Sequence, residues 1–315
     1  MSYIHDTHKT SSDWGLKYRP EKLEELILPK RYLTMFNKMI KSGELTNMLF
    51  CGEFGCGKTS LALILSDALD YQTLYINMSL DTSVEVLRND IKNFGNTVAM
   101  NSNRKLIIAD ECEKASDSLK KGLKAEIEQL SENVSFIFIT NYASQLEGGF
   151  HSRLQKVEFV FTPAEIKQMK TAYYKRALEI LDHNDKEYDK RAVGQIVDKL
   201  FPDFRRILNT LQCFSMQGKI TEELVQTSVT VNIDEFFSIL KRKKYKELRQ
   251  FIANLSIQPQ YFYSEIFKHI DNQFDKTILC EAILILAKYS YESAFVSDHE
   301  LNLCACAMEL MLIQK

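Results

Sequence analysis

Gly52-Glu53-Phe54-Gly55-Cys56-Gly57-Lys58-Thr59 decides the reading of this chain. The stretch fits G-x-x-x-x-G-K-[ST] at every constrained position, between a β-rich run and a helix-length stretch, which is the context that gives the motif meaning. The glycines let consecutive backbone N–H groups turn inward as an anion nest, and the helix N-terminus adds positive potential. Lys58 then reaches the β- and γ-phosphates of a nucleotide, and the Thr59 hydroxyl is a ligand for Mg²⁺. Gly52 through Ser60 are the candidate cradle, and ATP with Mg²⁺ is the expected cofactor set.

Outward from this loop the pattern alternates. Short β-rich runs occur at Asn47–Cys51, Thr73–Asn77, Lys105–Asp110, Ser135–Thr140 and Lys156–Phe161. Helix-length stretches lie between them, at about 58–70, 83–95, 115–131 and 143–153. Such alternation predicts βαβ units and an α/β core with a five-stranded parallel sheet. Leu106-Ile107-Ile108 and Phe136-Ile137-Phe138-Ile139 are apolar on consecutive residues, as strands buried on both faces should be. After Phe161 only helical patterns follow, first over 162–229 and then over 230–315.

The run Leu106-Ile107-Ile108-Ala109 ends in Asp110-Glu111. At the carboxyl edge of a parallel sheet Asp110 can hold the Mg²⁺ shell, and Glu111 can orient or deprotonate an attacking water. The next strand ends at Thr140-Asn141, whose uncharged amide can hold that water or the γ-phosphate.

Composition narrows the class. The chain has 315 residues, with 40 Lys+Arg against 42 Asp+Glu. That length suggests two or three domains with sizeable cores. The longest fully apolar runs, such as Ala282–Ala287, fall far short of the ~20 residues a membrane helix needs, and the polar start lacks a signal-peptide core. A cytoplasmic protein with no membrane partner is expected. Seven cysteines without a C-x-x-C pair read as reduced structural thiols. Residues 1–161, 162–229 and 230–315 are each near charge balance, so nucleic acid cannot be held by bulk positive charge.

Further motifs resemble those of AAA+ ATPases, and specifically of sliding-clamp loader subunits. Lys17-Tyr18-Arg19-Pro20, followed by Leu26-Ile27-Leu28, resembles the "YRP" box that lies over adenine. The resemblance thus implies nucleotide contacts from Tyr18, Arg19, Ile27 and Leu28. Ser152-Arg153 resembles the box that carries an arginine finger, with Leu154 in place of the usual Cys. Pro202-Asp203-Phe204-Arg205-Arg206 resembles the second-sensor helix. The sequence alone leaves either arginine as the sensor, and the resemblance assigns Arg205. Among clamp loaders the chain resembles in particular the large subunits from T-even-like phages, which implies the cytoplasm of a bacterial host cell if the source is a phage.

The resemblance implies an ATPase core over 1–161, a helical lid over 162–229 and a helical collar for oligomerisation over 230–315. It implies a five-subunit ring, made of copies of this chain and a smaller non-identical subunit, that opens a ring-shaped clamp and loads it onto primer–template DNA. ATP would lie between subunits, with Arg153 acting in trans. Lys58, Glu111, Asn141, Arg153 and Arg205 are the expected catalytic set. A helicase loader or other AAA+ DNA-remodelling ATPase would keep the phosphate loop and Asp110-Glu111 but would not require the "YRP" box. A small-molecule kinase is disfavoured by the two added helical modules. A non-hydrolysing scaffold is disfavoured because Lys58, Asp110 and Glu111 are all present.

Two helices are expected to face DNA. Thr82 and Ser83 open the first, which bears Arg88 and Lys92. The second bears Lys120, Lys121 and Lys124 beside Leu119, Leu123 and Ile127. Phe94-Gly95-Asn96-Thr97 is the expected clamp-facing end.

Overall fold

The structure, a computed structural model, describes residues 11–79, 84–97, 104–130, 133–142, 150, 152–229, 233–253, 259–293, 295–296 and 298–314. The chain divides into two compact units, Met1–Glu222 and Glu223–Lys315.

The first unit runs α1 (Trp14–Lys17), α2 (Lys30–Ser42), β1 (Met48–Gly52), α3 (Lys58–Ala68), β2 (Gln72–Asn77), α4 (Val84–Asn96), β3 (Lys105–Asp110), α5 (Asp117–Gln129), β4 (Val134–Thr140) and β5 (Gln155–Phe159). The five strands form one parallel sheet in the order β2-β3-β4-β1-β5, as the alternation predicts. Every residue of β3 and β4 is buried, which accounts for their uninterrupted apolar runs. β5 stops at Phe159, two residues short of expectation. Most of the helix expected over 143–153 lies outside the described residues.

Because all strands run the same way, Gly52, Asp110 and Thr140 end at one edge of the sheet. One face of the sheet packs Ile107, Phe136 and Phe138 against Leu119, Leu123 and Ile127 of α5. Elsewhere Phe36 and Phe159 pack against Phe50.

Three helices complete this unit: α6 (Pro163–His183), α7 (Lys190–Leu200) and α8 (Phe204–Gln217). Thr162 and Glu165 form a reciprocal capping box with Pro163 at the first helical position, a strong start signal. Asp203 caps α8 by accepting from Arg206 N at 3.0 Å. The amino-terminal segment is fastened to α8. Trp14 N donates to Gln212 Oε1 at 2.9 Å, and Gly15 N to Asn209 Oδ1 at 3.1 Å. A further helix, α9 (Glu222–Val229), begins at the unit boundary.

The second unit is helical throughout its described residues, with α10 (Ile233–Arg242), α11 (Tyr245–Ala253), α12 (Pro259–His269), α13 (Lys276–Glu292) and α14 (His299–Ile313). Phe236, Phe237, Phe262, Ile270 and Leu310 form its centre. Cys304 and Cys306 are both buried there, as expected of packing thiols. Leu284, Tyr291, Phe295, Leu301 and Leu312 remain exposed. No helix among the described residues is long and apolar enough to cross a membrane.

Candidate active site

A cavity of about 260 Å³ opens at the carboxyl edge of the sheet, floored by the loop after β1 and walled by the amino-terminal segment and by α6 and α8. This is where ligands bind open parallel sheets. Gly55 and Gly57 adopt left-handed backbone, with φ of +68° and +96°. Gly55 has a second reason to be glycine. A Cβ there would lie 1.9 Å from Asp203 Oδ1, and Phe204 N donates to Gly55 O at 3.3 Å. The loop is therefore docked directly on the start of α8.

Lys58 is buried, and its ammonium donates to Gly52 O at 2.9 Å, Glu53 O at 2.7 Å and Asn141 Oδ1 at 3.0 Å. Asn141 Nδ2 in turn donates to Glu113 Oε1 at 2.6 Å. The ends of β1 and β4 are thus tied through one lysine and one amide. Gly52 and Glu53 take part through these carbonyls and do not line the cavity.

Asp110 is buried and accepts three hydrogen bonds. Its Oδ2 accepts from Thr59 Oγ1 at 2.8 Å and from the Tyr75 hydroxyl at 2.9 Å, and its Oδ1 accepts from Glu111 N at 2.9 Å. Burial and the adjacent Asp110 push the Tyr75 phenol well above its ordinary range, so it stays a donor. Glu111 has φ of +54°, a strained value for a non-glycine residue, and it lines the cavity.

Arg19 Nε donates to Ser60 Oγ at 3.1 Å, while its buried Nη2 has no hydrogen-bond partner among the described residues. Desolvation, and then the neighbouring Arg205, lower its pKa from the ordinary value. An orphaned guanidinium nitrogen beside the phosphate loop fits an anionic ligand. Tyr18 accepts at its hydroxyl from Asn184 Nδ2 at 2.5 Å and packs edge-on against His183.

Most of the expected residues meet here. Tyr18, Arg19, Ile27, Lys58, Thr59, Ser60, Asp110, Glu111, Asn141 and Arg205 all line the cavity, together with Phe54, Gly55, Cys56 and Gly57. Leu28 does not. It is buried in the core, and Leu26 takes the lining position against Gly57. Of the two arginines, Arg205 lines the cavity, whereas Arg206 does not. Arg153 lies outside the cavity, with Nε donating to Glu128 Oε1 at 2.7 Å.

The expected basic stripes look different. Lys120 is buried rather than open on a polar face. Lys92 Nζ lies 3.5 Å from the buried Glu126, and Lys124 lies over the Phe150 ring at 5.5 Å. Lys120 thus departs from the expected open polar face, whereas the Lys92 side chain, 45% exposed, does not. Thr82 and Ser83 lie outside the described residues, as do the side chains of Arg88 and Lys121. At the far end of α4, Lys105 Nζ caps the helix by donating to Phe94 O at 2.5 Å and to Thr97 O.

Glu113 and Tyr75 had no motif to announce them. Glu113 is the third acid in Asp110-Glu111-Cys112-Glu113, a signal visible in hindsight, whereas Tyr75 reads only as an aromatic strand residue.

Residues 48–162 match the AAA family, "ATPase family associated with various cellular activities". The chain is 30% identical over 254 residues to a replication factor C small subunit of Saccharolobus solfataricus, covering 79% of this chain and 72% of that one. A replication factor C small subunit of Sulfolobus acidocaldarius is 27% identical over 95% of both chains. The sliding-clamp-loader large subunit of Escherichia phage RB69 is 25% identical over 93% of this chain and 94% of its own. Among solved structures, the Thermotoga maritima RuvB Holliday junction branch migration motor superposes with a TM-score of 0.52 at 19% identity, over 84% of this chain and 91% of that one. That last likeness concerns the fold alone. With phosphate loop, acidic strand end and polar strand end converging in one cavity, and with relatives aligned across most of both chains, the chain belongs to the replication factor C small-subunit family of AAA ATPases.

Proposed function

We propose that this chain is an ATP-hydrolysing subunit of a sliding-clamp loader. The observation that carries the reading is the convergence of Lys58, Asn141, Thr59 and Asp110 at one sheet edge. Its Lys58 ammonium and loop amides bind the β- and γ-phosphates, and the orphaned Arg19 nitrogen adds a donor near Ser60.

Thr59 and Asp110 present two hard oxygen donors 2.8 Å apart in a largely buried setting, a donor set suited to Mg²⁺. When bound there, Mg²⁺ supplies neutralisation of phosphate charge. Glu111 accepts a proton from water as the water oxygen bonds to the γ-phosphorus. The bond from that phosphorus to the ADP oxygen breaks, giving ADP and phosphate. Asn141, fixed by Lys58 and Glu113, orients that water or the γ-phosphate.

Arg153 belongs to the neighbouring subunit's site in this reading, and Arg205 acts from the lid. The division into an ATPase core over 1–161, a lid over 162–229 and a collar over 230–315 belongs to the same proposal. The exposed apolar residues of the second unit support a collar that packs against neighbours. The RB69 relative, matched along nearly its full length, supports a phage-like large subunit that loads a clamp onto primer–template DNA. The ring would hold five subunits, copies of this chain with a smaller partner. For DNA contact Thr82, Ser83, Arg88, Lys92, Lys121 and Lys124 remain the proposed set. The burial of Lys120 speaks against its direct contact with DNA and leaves it out of that set.

The test is the ATPase rate with and without primer–template DNA and the cognate clamp. Stimulation by both together is expected. A rate indifferent to the clamp would favour a helicase loader or another DNA-remodelling ATPase.

A further inference from the structure

We infer that Tyr75 is a positioning residue for the metal-side carboxylate, setting the rotation of Asp110 and through it the backbone of Glu111. The inference rests on the nucleotide-and-Mg²⁺ reading above and deepens it.

Tyr75 lies on β2, the strand beside β3, and pairs in register with Ile108, two residues before Asp110. Residues two apart share a sheet face, so the phenol runs along that face toward Asp110. Its hydroxyl reaches Oδ2 at 2.9 Å, on the same oxygen that Thr59 Oγ1 reaches at 2.8 Å. Asp110 is therefore gripped from two elements, α3 and β2.

A carboxylate offers about four lone-pair sites. Two on Oδ2 serve the hydroxyls of Thr59 and Tyr75, and one on Oδ1 serves Glu111 N–H. Among the described residues this leaves one Oδ1 site uncommitted, in a cavity that Asp110 itself lines. Without the phenol, Thr59 alone would hold Oδ2 and the carboxylate could turn about its bond to Cβ. That turn would move the free Oδ1 site and also the anchor of the Glu111 N–H. Glu111 depends on such an anchor, since its left-handed φ of +54° is not one it would adopt unaided. A phenol at a half-buried strand position, where phenylalanine would pack equally well, is explained by this acceptor.

Groups that orient a metal's own ligands typically change metal affinity about 10–100-fold when removed. The experiment is equilibrium binding of a fluorescent ATP analogue to the full chain, titrated with Mg²⁺ and repeated in EDTA. Tyr75→Phe is expected to raise the half-saturating Mg²⁺ concentration about tenfold, with affinity in EDTA within about twofold of wild type. Tyr75→Leu, which also removes the ring, should match Tyr75→Phe in its Mg²⁺ response. A thermal melt of each variant controls for folding, and the EDTA arm reports an intact phosphate loop. Wild-type Mg²⁺ dependence in Tyr75→Phe would overturn the inference while leaving the nucleotide reading standing, and so would a shift confined to Tyr75→Leu. A wild-type chain that binds the analogue equally well in Mg²⁺ and in EDTA would overturn both.

Discussion

The Lys58 ammonium and the Asn141 carboxamide oxygen lie 3.0 Å apart, and the other end of that amide donates to Glu113 at 2.6 Å. A cation on one side and a carboxylate on the other leave the amide one sensible orientation, oxygen toward Lys58 and nitrogen toward Glu113. The polar end of β4 is thereby locked to the phosphate loop.

Asn141→Leu removes both side-chain bonds and leaves Glu113 only the longer bond from the backbone N–H of residue 141, at 3.4 Å. Turnover should fall about 10²-fold, on the scale of losing one preorganised polar group at a reacting centre, while nucleotide affinity changes little. Glu113→Gln should give a smaller loss, because a glutamine oxygen can still accept from the Asn141 amide. Single-turnover hydrolysis beside equilibrium nucleotide binding separates the two effects. A larger defect in Glu113→Gln than in Asn141→Leu would remove Asn141 from its central place.

Glu111→Gln should retain ATP binding and lose about 10²–10⁴ in rate, the range for removal of a general base. The substitution keeps size and backbone, so the Asp110 Oδ1 to Glu111 N bond survives. Normal turnover in this variant would assign proton transfer elsewhere.

Gly55→Ala meets two independent obstacles, the left-handed φ of +68° and a Cβ placed 1.9 Å from Asp203 Oδ1. The backbone alone costs about 1–2 kcal/mol. The clash also forces the α8 cap away from the loop. A melting temperature lowered by several degrees and weakened nucleotide binding are expected together. Gly43→Ala is the contrast, since Gly43 has a similar φ of +70° with open space around it. It should lower the melting point and leave nucleotide binding alone.

The fold was largely legible because its signals are local. Consecutive apolar residues in Leu106–Ala109 and Phe136–Ile139 announce buried parallel strands, and a phosphate loop constrains several positions at once. Side-chain placement was legible only where a motif dictated it. Lys120 reads as one of a basic cluster, yet burial is set by how α5 rotates against the sheet, which a charge pattern does not encode. Leu28 and Leu26 differ by two positions in an irregular segment, where no period says which one faces the cavity. Tyr75 escaped because its role depends on strand register, and register joins residues 35 apart in sequence.

Arg153 and Glu128 form an ion pair with Nε to Oε1 at 2.7 Å. If Arg153 serves a neighbouring subunit, this pair must open or shift during assembly. Arg153→Ala should lower hydrolysis in the assembled loader about 10³-fold or more, leaving nucleotide affinity of the isolated chain nearly intact. Glu128→Gln should leave the isolated chain unchanged and weaken the hold on the guanidinium. Equal hydrolysis by isolated and assembled protein would defeat the trans assignment.

Thiol chemistry gives a test that needs no partner. Cys51, Cys56 and Cys112 surround the phosphate loop and the end of β3, and all three are buried. Burial raises each thiol, with Cys51 pushed up to about 11. A raised thiol pKa means the reactive thiolate is scarce at neutral pH and grows only as pH climbs toward that value. Cys213 and Cys280 are exposed. Iodoacetamide at pH 8 should therefore modify Cys213 and Cys280 first, leaving ATPase activity intact while these adducts accumulate. Loss of activity should follow only the later adducts on unfolding. Peptide mass spectrometry alongside activity decides the matter. Rapid modification of Cys56 in the folded chain, with parallel loss of ATP binding, would mean that the loop opens far more readily than its docking on Asp203 and Phe204 implies.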